Sequence, residues 1–141
     1  MDPKKDALSI LLVEDNPADV YLLKTALADI GIAAEMPVFG NGTEAWQYLH
    51  QFGADQDKPE LIILDLNLPG MNGREILEEI LKNSQLRDLP IAVFSGSCFE
   101  SGVTEDFPDL RILFATKSYD YDELKDTLAH IAAFAENLPA R

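Results

Sequence analysis

The chain predicts a doubly wound α/β fold, five parallel strands with helices packed on both faces. Three observations carry this. Short continuous apolar runs alternate with helix-like stretches about five times, the pattern of strands buried on both sides. Leu8–Val13 stops at Glu14-Asp15, Leu61–Leu64 at Asp65 and Ile91–Phe94 at Ser95, while Leu110–Phe114 is followed by Lys117. The length, 141 residues, suits one domain with a real hydrophobic core, its segments joined by right-handed crossovers.

After the first strand, Asn16-Pro17 starts a helix, with Asn as N-cap and Pro at N1. Val20, Leu23, Leu27 and Ile30 then recur on one face, and Gly31 stops the helix. A second strand is expected over Ala34–Phe39. Gly40-Asn41-Gly42 turns into a helix that places Ala45, Leu49 and Phe52 inward. Gln51 to Pro59 is a polar loop leading to the third strand, Leu61–Leu64. The tight loop Pro69-Gly70-Met71-Asn72-Gly73 launches a helix carrying Ile76, Leu77, Ile80 and Leu81, and Pro90 opens the fourth strand. Gly96 to Asp109 is a poor helix former and predicts one short or frayed helix. The last helix, from about Asp122 to Glu136, buries Leu124, Leu128, Ile131 and Ala135. Asp120 and Asp122 near its start suit the helix dipole. Residues 1–6 and 137–141 read as loose ends of a domain spanning 7–136.

Composition excludes several classes. An apolar content of 47% against 26% charged is globular, not disordered. No apolar run approaches the ~20 residues of a membrane span, and Met1 to Asp6 lacks the apolar segment of a signal peptide. A cytoplasmic address is expected. The lone Cys98 cannot form an internal disulfide, in keeping with a reducing compartment. A net charge of −14 repels nucleic acid and argues against a nucleic-acid partner. His50 and His130 lack the spacing of a metal pair and read as surface residues. Trp46 and Tyr48 read as packing or surface residues.

In an open α/β sheet, ligands bind beyond the carboxyl ends of the strands, at the switch point flanked by strands one and three. Glu14, Asp15 and Asp65 should therefore be neighbours. Two carboxylates ~5 Å apart repel by roughly 3 kcal/mol at an effective dielectric near 20. That repulsion should raise at least one folded pKa, and it calls for a counter-charge. Mg²⁺ fits, being held by a few carboxylates together with a phosphate. Asp65 can act as nucleophile and form an acyl phosphate. Lys117 would neutralise the phosphoryl oxygens, Ser95 would donate a hydroxyl, and Gly96 would let backbone N–H groups approach. Singly these residues mean little, since a Glu-Asp pair is ordinarily a solvated loop and an Asp before a turn a cap. Their concurrence at strand ends carries the reading.

The stretches Ile10-LLVEDNPAD-Val20, Leu61-IILDLNLPGMNG-Arg74, Ala92-VFSGS-Cys98 and Phe114-ATK-Ser118 resemble the receiver domains of two-component response regulators. The resemblance covers residues 7–136 and is nearest to single-domain regulators of phytochrome-type histidine kinases. It implies a flavodoxin-like sheet of order 2-1-3-4-5. It further implies that Glu14 and Asp15 hold Mg²⁺, Asp15 more directly, and that the backbone carbonyl of Asn67 completes the metal site. Asp65 would accept a phosphoryl group from a sensor histidine kinase, Ser95 and Lys117 would contact it, and Phe114 would be the aromatic switch. Output would pass to a downstream protein or a phosphotransfer partner. Phe134, beside the apolar stripe of the last helix, marks a candidate homodimer contact.

Three departures from the family pattern stand out. Ser118 replaces the usual proline after the lysine, where a cis bond is common; before a non-proline residue that bond costs ~2.5–4 kcal/mol. Pro108-Asp109-Leu110 replaces the usual Gly-Ala, and Phe114 has no hydroxyl, so it can signal only by repacking. Two alternatives stay open. A haloacid-dehalogenase-type phosphohydrolase would want a second Asp where Asn67 stands. A pseudo-receiver, a phosphorylation-independent binding module, would have lost an acid or the lysine.

Overall fold

A computed structural model describes residues 7–52, 58–96 and 100–136. The expected loose ends at 1–6 and 137–141, the middle of the polar loop, and Cys98 lie outside the described residues. The elements run β1 (Leu8–Val13), α1 (Pro17–Asp29), β2 (Ala34–Glu35), β3 (Val38–Phe39), α2 (Gly42–Leu49), β4 (Leu61–Leu64), α3 (Gly73–Leu81), β5 (Pro90–Ser95), α4 (Val103–Asp106), β6 (Arg111–Thr116) and α5 (Tyr121–Glu136).

All strand pairs are parallel, in the order β2-β1-β4-β5-β6, with β3 also on β1. The expected second strand, Ala34–Phe39, is thus two short pieces around Met36-Pro37. Pro37 has no N–H to give the ladder, although its carbonyl still accepts from Leu12 N–H at 3.0 Å. Taken as one interrupted strand, β2 and β3 yield the order 2-1-3-4-5 expected from the resemblance.

Alternation along each strand divides the core between the sheet's two faces. Leu11, Val13, Ile62, Leu64, Ile91 and Val93 pack in a cluster with residues of α2 and α3 such as Ala45, Leu49, Ile76 and Leu77. Ile10, Leu12, Leu61, Ile63, Ala92 and Phe94 pack in a second cluster with residues of α1 and α5, including Leu23, Leu27, Leu124, Leu128 and Ile131. Strands buried on both faces cannot slip register without pushing apolar side chains into water. That rigidity holds the strand ends in place.

The helix boundaries follow their caps. Asn16 Oδ1 accepts from the Ala18 and Asp19 N–H groups, with Pro17 just inside α1. Asn72 and Glu75 form a capping box at the start of α3, satisfying two otherwise orphaned donors. Helix α2 ends at Leu49, so Phe52 lies beyond it, yet Phe52 still packs against the core. Helix α4 has only 4 residues, in keeping with its poor propensity. In α5, Ala132 is buried and the expected Ala135 only half-buried.

Candidate functional site

The sheet delivers four polar ends to one edge. In register, Val13 pairs Leu64 and Leu64 pairs Val93. Glu14, Asp65 and Ser95 therefore emerge from adjacent strands, which run about 4.8 Å apart. Each of Glu14, Asp15 and Asp65 offers a carboxylate oxygen, and these atoms lie within 4.8 Å of one another. Glu14 and Asp65 are buried, at 4% and 7% exposure, whereas Asp15 is exposed.

Lys117 reaches into this cluster from the end of β6. Its Nζ donates to Glu14 Oε1 at 2.5 Å, to Asp65 Oδ2 at 3.1 Å and to Asp19 Oδ2 at 3.1 Å. Its backbone N–H donates to the Ser95 carbonyl at 2.7 Å, which seats the lysine beside β5. Lys117 thus supplies part of the counter-charge that the clustered acids call for, and it reaches Glu14 and Asp65 directly. Burial works against the ammonium most strongly, but hydrogen bonds to Glu14 and Asp19 and the nearby acid charges outweigh it, and its pKa stands above the ordinary lysine value.

Burial is likewise the leading influence on Glu14, and it lifts the carboxyl above its usual range. The Lys117 ammonium and the Asn16 N–H, 3.1 Å away, pull the other way, and repulsion from Asp65 adds the least. The expected rise is present, but desolvation rather than crowding dominates it.

Loop geometry keeps Asp65 in place. Its Oδ1 accepts from the Asn67 N–H at 3.0 Å. The start of α3 presses against its backbone: a Cβ on Gly73 would lie 2.8 Å from the Asp65 carbonyl oxygen and 2.6 Å from Leu66 Cα. Only glycine allows that approach. Across the loop, Gly42 N–H donates to the Pro69 carbonyl and Met71 N–H to Thr43 Oγ1, both at 3.0 Å. The start of α2 is thereby tied to the loop that follows Asp65.

Ser95 is fully buried, and its hydroxyl donates to Glu100 Oε1. Gly96 is exposed, and a Cβ there would meet no heavy atom of the described residues within 4 Å. Phe114 is half-buried on β6 against the cluster that holds Val103 and Val93. Among the described residues there is no cis peptide bond, so Lys117-Ser118 is trans. A hollow of about 470 Å³ lined by Lys24, Leu27, Ile32 and Met36 shares no residue with the acids.

Two participants escaped the sequence reading. Asp19 looks like an ordinary first-turn acid of α1, and nothing in its spacing points to Lys117. Glu100 lies in a segment with no clear pattern. The oxygen-only donor set, with two of its acids buried, suits a hard divalent cation.

The family model described as "Response regulator receiver domain" matches residues 10–129. The chain belongs to that family. Response regulator Rcp1 of Synechocystis sp. is 35% identical to this receiver over 127 residues, covering 89% of this chain and 86% of its own length. The crystal structure of the phosphorylated cyanobacterial phytochrome response regulator RcpA has a TM-score of 0.78 at 35% identity, covering 95% of this receiver and 97% of that chain. The Mn²⁺-bound form of Rcp1 follows at 0.76 and 33%, with 95% and 99% covered. The receiver's sheet order and flanking helices thus agree with its relatives, and its family is one of signalling proteins. No helix among the described residues is long and apolar enough to cross a membrane.

Proposed function

We propose that this receiver takes a phosphoryl group on Asp65 from a sensor histidine kinase and thereby changes which partner it binds. The carrying observation is convergence: Lys117 Nζ lies 3.1 Å from Asp65 within a group of three acids whose oxygens sit within 4.8 Å. An Asp65 oxygen attacks the phosphorus and forms the acyl phosphate. The bond from phosphorus to the donor's histidine nitrogen breaks, and that nitrogen keeps the electron pair. Lys117 is the point charge that meets the added negative charge, and Ser95 supplies a hydroxyl donor.

Mg²⁺ is the proposed cation, with Glu14, Asp15, Asp65 and the Asn67 carbonyl as its protein ligands. When bound, it would neutralise charge on the phosphoryl oxygens. The relatives named as phytochrome response regulators support a phytochrome-type kinase as donor, and the setting proposed for the pair is cytoplasmic. Output follows from repacking of Phe114, read by a downstream protein, a phosphotransfer partner or a second copy of the chain meeting near Phe134. The domain proposed to do this spans 7–136.

Incubation with Mg²⁺ and acetyl phosphate, followed by intact-mass measurement, tests the reading. Asp65 displaces acetate and gains one phosphoryl group in wild type, and Asp65→Asn gains none. Turnover of many phosphate esters would indicate a hydrolase instead, and an unlabelled wild type a pseudo-receiver.

A further inference from the structure

A serine hydroxyl has one proton to donate. That of Ser95 goes to Glu100 Oε1, and a hydroxyl-to-carboxylate bond is charge-assisted, roughly twice as strong as a neutral one. Ser95 is fully buried, so rotating its proton toward Asp65 requires leaving Glu100, with little water at hand to ease the exchange. Meanwhile the Lys117 N–H bonds the Ser95 carbonyl at 2.7 Å, so the serine backbone stays beside the lysine that touches Asp65.

We infer that Glu100 is a competing acceptor that holds the Ser95 hydroxyl in the unphosphorylated arrangement and so sets how readily Asp65 becomes phosphorylated. It is a positioning residue, acting through Ser95. The inference rests on the reading of Asp65 as phosphoacceptor. A phosphoryl group on Asp65 offers oxygens of greater charge to the same proton, and its charge also repels the Glu100 carboxylate. Once Ser95 changes partner, the half-buried Glu100 loses a donor and is drawn to water.

Glu100 sits just ahead of α4, whose Val103 is buried in the cluster against which Phe114 packs. At its other end Asp106 pairs with Arg74 of α3 at 2.8 Å. Release of Glu100 therefore bears on the segment leading into α4, next to the aromatic residue expected to repack. The serine's choice of partner thus has a route to the surface through a contact that no motif of the chain announces.

The test combines labelling with a double-mutant cycle. Wild type, Glu100→Gln, Glu100→Ala, Ser95→Ala and both doubles are incubated with Mg²⁺ and a series of acetyl phosphate concentrations. Half-maximal labelling in Glu100→Gln should come at a concentration lower by roughly three- to tenfold, the difference between a charged and a neutral acceptor. Glu100→Ala should shift at least as far. In the Ser95→Ala background both shifts should shrink to about twofold or less. Thermal melts without phosphodonor should show that the two positions are coupled.

An unshifted Glu100→Gln, equal shifts with and without Ser95, or uncoupled melts would each overturn the inference alone. A wild type that takes no label overturns it together with the reading beneath it.

Discussion

Lys117 Nζ and Asp65 Oδ2 lie 3.1 Å apart although 52 residues separate them along the chain. The same ammonium contacts Glu14, whose side chain is 3% exposed, and the more open Asp19. One cation thus offsets charge on two buried acids, Glu14 and Asp65, whose other donors among the described residues are the neutral Asn16 and Asn67 N–H groups. The residue proposed to serve phosphorylation also ties the strand ends together.

Lys117→Met should therefore be costly. Removing one partner of a buried ion pair strands the other, at about 3 kcal/mol. Urea unfolding of the metal-free protein measures this. Added Mg²⁺ should recover more stability in the variant than in wild type, because it replaces the missing charge. A loss below about 1 kcal/mol would place the lysine outside the acid cluster.

Asp65→Asn has the opposite sign. Asp65 gains one attraction at 3.1 Å but suffers two repulsions at no more than 4.8 Å. At a common dielectric the repulsions outweigh the attraction by on the order of 1 kcal/mol, and the exposure of Asp15 trims this further. The metal-free melting temperature should rise by about 2–4 °C, read by circular dichroism. A fall would mean that the contact with Lys117 dominates.

The raised pKa of Glu14 makes stability depend on pH. A carboxyl whose folded pKa exceeds its unfolded value keeps its proton longer in the folded state. Its penalty is absent below the ordinary carboxylate range and grows as pH rises through the raised value. Metal-free stability should fall across that window, and Glu14→Gln should flatten the fall. Chemical denaturation at several pH values, with Mg²⁺ chelated, shows whether the slopes differ.

Tyr121 offers an independent check on the α1–α5 arrangement. Its phenol donates to Asp29 Oδ2 at 2.5 Å, and that bond pushes its pKa up to about 12. The chain has 4 tyrosines. Absorbance titration should show a phenol that ionises late, and Tyr121→Phe should delete that component. A late component unchanged in the variant would deny the contact.

At the start of α3, Asn72→Ala removes one half of a capping box next to the loop that carries Asp65. The cost should be about 1 kcal/mol in urea unfolding. Asn72→Ser, which can still cap, should restore most of it.

Much of this molecule is readable from local chemistry. Apolar runs such as Leu61–Leu64 are long enough for strands and too short for helices. Asn16-Pro17 and the Asn72-Gly73 step announce their helices because caps act within one turn. Glu14, Asp15, Asp65, Ser95 and Lys117 are recognisable because a parallel sheet sends every strand's carboxyl end to the same edge. The break at Pro37 was foreseeable too, since proline cannot donate to a ladder.

Other features depend on which side chains meet once the sheet has formed. Asp19 and Glu100 belong to the site because Lys117 and Ser95 find them in space, and no spacing rule encodes contacts across 98 residues, the separation of Asp19 and Lys117. The cause of the Glu14 shift is of the same kind. Charge crowding can be guessed from strand ends, but desolvation depends on how completely the assembled core excludes water. Periodicity and caps act over a few residues, whereas burial and long-range pairing are properties of the packed whole.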